Sequence, residues 1–97
     1  MVNILHLSTA TSFRGGERQI FYLIDSLAKY SVNQTLICPL SSPLADLINR
    51  EKAQVVPVKS RAFTIISFIR VINKLNKENS FNIIHAHDSK SHTALVL

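Results

Sequence analysis

The feature that most constrains this chain is an alternation: four apolar runs of strand length are separated by three segments in which apolar residues or capping signals mark helices. The runs are VNILHLS at 2–8, QTLICPL at 34–40, AQVVPV at 53–58 and FNIIHAH at 81–87. Within 17–30, Ile20, Leu23, Ile24, Leu27 and Ala28 recur at helical spacing. Ser42 and Pro43 supply an N-cap and a first-turn proline for a second helix over SSPLADLINREK. A third helix over 63–78 carries Ile65, Ile69, Ile72 and Leu75 along its buried side. Strands joined through helices pair in parallel by right-handed crossovers, and a parallel sheet is stable with both faces covered. The expected fold is an α/β, Rossmann-like parallel sheet of order 3-2-1-4 with helices on both faces. The final SKSHTALVL has the pattern of a helix beginning, with no cap and no strand to follow, so the chain reads as a fragment of a larger domain.

Composition narrows the class. With 97 residues, 46% hydrophobic and 18% charged, the chain suits one globular core and not a disordered tail. Its apolar runs fall well short of the roughly 18 residues that span a bilayer, and its N-terminus lacks a basic leader and a cleavage site, so a cytoplasmic location is expected. Cys38, the lone cysteine, lies inside an apolar run and reads as a small core residue rather than a catalytic thiol. The net charge of +5 favours anionic partners. Exposed aromatics in an RNA-binding signature are missing, which argues against nucleic acid. Arg70, Lys74 and Lys77 form a basic stripe on the third helix, preceded by Lys59 and Arg61. Such a stripe serves either as a solvated face or as a contact for anionic lipid headgroups.

In an open α/β sheet, ligands bind beyond the carboxyl ends of the strands, where the strand order reverses. For order 3-2-1-4 that point lies between strands one and four. The loop after strand one contains both glycines of the chain, Gly15 and Gly16, and strand four ends at His87, Asp88, Ser89 and Lys90. These two distant segments are therefore expected to face one crevice. A glycine pair at a helix N-terminus allows positive φ and a close backbone approach, and the helix dipole favours an anion such as phosphate; a plain tight turn is the competing reading. Neither the G-x-x-x-x-G-K-[ST] loop nor the G-x-G-x-x-G fingerprint is present, and Cys38-Pro39-Leu40 stands where a dinucleotide site needs an acid, so no nicotinamide cofactor is expected.

His85 and His87 lie on one face of their strand, with Asp88 at its end. His87 and Asp88 suit polar contacts to an acceptor hydroxyl. A metal set of His85, His87, Asp88 and His92 departs from the H-x-H-x-D-H order, with Asp88 one residue early and His92 late, so no metal is expected. His6 and His85, inside strands, read as buried, hydrogen-bonded histidines, whereas His87 at a strand terminus reads as functional.

Gly-Gly-Glu after strand one, the helix ERQIFYLIDSLAKY and the strand NIIHAHD together resemble the N-terminal half-domain of a family 4 glycosyltransferase. The resemblance spans the chain through short motifs. It implies a GT-B architecture of two Rossmann-like domains with the active site between them, a nucleotide-diphosphate-sugar donor and net retention without a metal. By position, Gly16 with Gly15 would approach the donor diphosphate. His87 would match the histidine that contacts the acceptor or the transferred sugar, with Asp88 beside it and Ser8, Thr9 and Arg14 on the same rim. The implied setting is the synthesis of cell-envelope polysaccharide or glycolipid. The donor-binding C-terminal domain and its E-x7-E pattern are absent from these residues, so the 97-residue chain alone is not expected to transfer sugar. A non-enzymatic α/β phosphate-binding module and a metal-dependent hydrolase fragment remain the alternatives.

Overall fold

A computed structural model describes residues 2–59, 65–78 and 80–88. Its elements run β1 Val2–Leu7, α1 Gly15–Leu27, β2 Val32–Pro39, α2 Pro43–Leu47, β3 Gln54–Val58, α3 Ile65–Glu78 and β4 Ile83–Ala86. The four strands form one parallel sheet in the order β3-β2-β1-β4, as the alternation requires. Central β1 pairs with β2 from Val2↔Val32 to Leu7↔Ile37 and with β4 from Ile4↔Ile83 to Leu7↔Ala86. Pro57, which has no N–H to give to a ladder, sits in β3, which among the described residues pairs only with β2.

Strand parity sorts the apolar side chains into two layers. On one face, Ile20 and Ile24 of α1 and Leu44 and Ala45 of α2 bury against Leu36 and Cys38 of β2. On the other, Ile72 and Leu75 of α3 bury against Leu5, Leu7 and Ile37, with Ile84 and Ala86 of β4 beside them. Helices thus cover both faces. Burying each of these large aliphatic side chains contributes about 1.5–3 kcal/mol. Cys38 belongs to the first layer, and burial pushes its thiol up to about 11, so it is a protonated core residue at neutral pH.

Several boundaries differ from those expected, three of them for a visible reason. Helix α1 stops at Leu27, where Tyr30 N–H bonds the Leu27 carbonyl and turns the chain toward β2. Helix α2 opens as expected, with the Ser42 hydroxyl accepting from Leu44 N–H, but it closes at Leu47 instead of running through 52. Asn49 ends it: its side-chain oxygen accepts from Glu51 N–H at 2.8 Å and its carbonyl takes Ala53 N–H, making a turn that delivers the chain to β3. Strand β4 is shorter than 81–87, although Asn82 N–H to the Asn3 carbonyl and His87 N–H to the Leu7 carbonyl continue the pairing at each end. Phe63, Arg61 and the final helix-like segment lie outside the described residues.

Candidate functional site

Two loops meet beyond the carboxyl ends of β1 and β4. A carboxylate clamp fixes them: Asp88 Oδ2 accepts from Thr9 N–H and Oδ1 from Thr9 Oγ1, each at 2.8 Å. Asp88, expected to face an acceptor, thus binds the β4 exit to the β1 exit. The β1 loop is also held at its far end. Glu17 Oε1 accepts from Arg14 N–H and from Ser12 Oγ, both at 3.1 Å, and Phe13 packs edge-on to Phe21 with the Arg18 guanidinium 5.4 Å from its ring centre. Ser8 is fully buried, its N–H bonded to the Ile37 carbonyl, so it braces the loop from beneath.

Gly15 and Gly16 form the first turn of α1 on the exposed side of this rim. Neither uses the positive φ that glycine allows, since no described residue, glycine included, has one. Nor does packing require them, because a Cβ at either position would meet nothing within 4 Å. The first N–H groups of a helix have no intrahelical carbonyl to bond. What two glycines achieve here is a bare helix N-terminus. An ordinary residue would fit as well.

Gly16 lines a cavity of about 620 Å³ together with Gln19, Tyr22, Leu23, His85 and His87. The glycine loop and the end of β4 therefore share one crevice, as the reversal of strand order predicts. Tyr22 is 60% exposed there, an open aromatic face that the sequence reading did not single out. A smaller cavity of about 360 Å³ lies at the opposite end of the sheet, among Asn3, Asn33 and Gln54 at the strand starts.

The histidines organise the crevice floor. His6, His85 and His87 all project from the sheet face that α1 covers. His6 is fully buried; its Nε2 lies 2.9 Å from Gln34 Oε1 and its Nδ1 lies 3.0 Å from His87 Nε2. Gln34 Nε2 donates to the Ile24 carbonyl at 3.0 Å, so the amide oxygen must face His6. That order sets the protons. His6 donates through Nε2–H to Gln34 and accepts at Nδ1 from His87 Nε2–H, which leaves His87 Nδ1 as an open acceptor. Burial lowers the pKa of His6, against the opposing hydrogen bond to Gln34 and with help from His85. Burial first, then the charges of His85 and His6, push His87 down to about 4, with Asp88 opposing. Both rings are neutral at pH 7.

His6 fulfils the expectation of a buried, bonded histidine. His85 does not: it is exposed and stacks on His87 with ring centres 3.8 Å apart. The reason lies in α1, whose buried residues pack on β2 and leave the same face of β4 open. The three ring nitrogens nearest one another, one each from His6, His85 and His87, lie within 4.8 Å. His6, absent from the metal set considered on sequence, is the member brought in; His92 lies outside the described residues.

Comparison of the chain with protein-family models, with curated proteins and with solved structures finds no match in any of the three.

Proposed function

We propose that this chain is the acceptor-side part of a retaining, family 4-like glycosyltransferase, which passes a sugar from a nucleotide-diphosphate-sugar to a sugar or lipid-linked acceptor in cell-envelope polysaccharide or glycolipid synthesis. The observation that carries the reading is the crevice shared by Gly16 and His87, with two glycines that neither backbone geometry nor packing explains. A diphosphate oxygen set against the bare first turn of α1 would gain the free N–H groups and the helix dipole. On the other wall, the Nδ1 lone pair of neutral His87 would accept from an acceptor hydroxyl, and the exposed face of Tyr22 would carry a sugar ring. Asp88 positions the rim by holding Thr9. Arg70, Lys74 and Lys77 are exposed on α3, on the far side of the sheet from the crevice, where they would meet anionic lipid at the inner face of a membrane. No described helix is long and apolar enough to cross one.

The test is sugar transfer by the full-length protein, with Gly16→Val and His87→Ala variants. The reading expects Gly16→Val to fold and lose donor binding, and His87→Ala to bind donor and lose transfer. A protein that binds diphosphate but transfers nothing is the phosphate-binding module instead. One that does neither, with both variants behaving as the parent, removes the enzyme reading and leaves the glycines as a turn.

A further inference from the structure

We propose that His6, His85 and His87 form a binding site for a zinc-type divalent cation, with Gln34 as the residue that orients the first ligand. A His-x-His pair on β4 and one histidine in register on neighbouring β1, where His6 pairs with His85, put three imidazoles on one sheet face. Their nearest ring nitrogens lie within 4.8 Å of one another.

The closest pair is almost at ligand spacing. Two nitrogens bound tetrahedrally at zinc distances stand about 3.3 Å apart, and His6 Nδ1 and His87 Nε2 are 3.0 Å apart. A cation would replace the proton these two nitrogens share, with the His87 proton moving to Nδ1 and the rings parting by a few tenths of an ångström. His85 is exposed, so its ring is free to turn and bring a third nitrogen in. His6 needs no change of tautomer. Its Nε2–H already donates to Gln34 Oε1, and the Gln34 amide is fixed by donating its Nε2–H to the Ile24 carbonyl, which is the outer-shell arrangement that fixes a metal-binding imidazole. Three protein ligands leave a fourth position, which here faces the open crevice that His85 and His87 line. An all-imidazole set selects zinc, copper or nickel over magnesium and calcium, which need oxygen donors. The site stands apart from the transfer reading; where both hold, a bound cation occupies the histidine that reading gives to the acceptor.

The experiment is titration of the full chain with Zn2+ against a chromophoric chelator, repeated with Mg2+, and with Co2+ followed by its visible absorption. One equivalent of Zn2+ should bind, Mg2+ should not compete, and Co2+ should show the intense bands of four-coordinate geometry. His85→Ala, an exposed position that leaves the fold intact, and His87→Ala should each weaken zinc binding at least tenfold. Gln34→Leu should weaken it by about tenfold or more while changing none of the ligands. Absence of stoichiometric zinc binding, or zinc affinity in His85→Ala within tenfold of the parent, overturns the assignment.

Discussion

His6 is gripped at both ring nitrogens, and the grip makes its neutral form part of the fold. Gln34→Leu would leave its buried Nε2–H against methyl groups and remove the bond that sets its tautomer. The expected loss is about 2 kcal/mol, read as a lower urea midpoint with an unchanged slope. The same burial makes stability depend on pH. In the unfolded chain histidine titrates near its ordinary value of 6.5, whereas His87 in the fold is held at about 4 and His6 is likewise lowered. Between these values the unfolded state takes up protons that the folded state refuses, so stability is complete above about pH 6.5 and falls as pH drops toward 4. A urea midpoint that is flat across that window in metal-free protein would contradict the burial described. The sequence marks His6 as buried because it stands inside an apolar strand. It does not disclose Gln34, which becomes a partner only through the β1 to β2 register that puts residues 6 and 34 on one face.

Among the elements, the alternation of periods was enough to place all four strands, their order and the covering of both faces by helices, because parallel crossovers admit few topologies. The ends of α1 and α2 were less legible. Asn49 reads as one more polar helix residue until its side chain is seen to close a turn on Glu51. The carboxylate clamp was equally hidden, since Thr9 and Asp88 stand 79 residues apart. Asp88→Ala should cost about 1–3 kcal/mol for the two charge-assisted bonds and loosen both loops together, seen as faster amide exchange at Thr9 and His87 alike. Asp88→Asn, which keeps one acceptor oxygen, should lose less. Gly16→Ala makes the opposite demand: with open space around its Cβ, it should leave thermal stability unchanged or raised by up to about 1 kcal/mol. A large destabilisation would show that the glycine serves the fold.

Across the whole molecule, one side of the sheet carries the crevice and the other carries the basic helix. If α3 meets an anionic membrane, neutralising Arg70, Lys74 and Lys77 together should weaken vesicle binding by about 1 kcal/mol per charge, roughly a hundredfold in all. Raising the salt should mimic the change. Binding that ignores both would assign the stripe to solvent. The order of assembly carries a separate consequence. Strands β1, β2 and β3 are neighbours in sequence as well as in space, whereas β4 joins β1 across almost the full described chain, pinned below by Asn3 N–H to Asn82 Oδ1 and above by Thr9 to Asp88. Contacts of long sequence separation close late, after the loop entropy has been met. The stacked rings of His85 and His87 reach His6 only with that closure. A signal from the imidazole cluster during refolding would therefore time the arrival of β4, and the crevice would come into being only once that strand has docked.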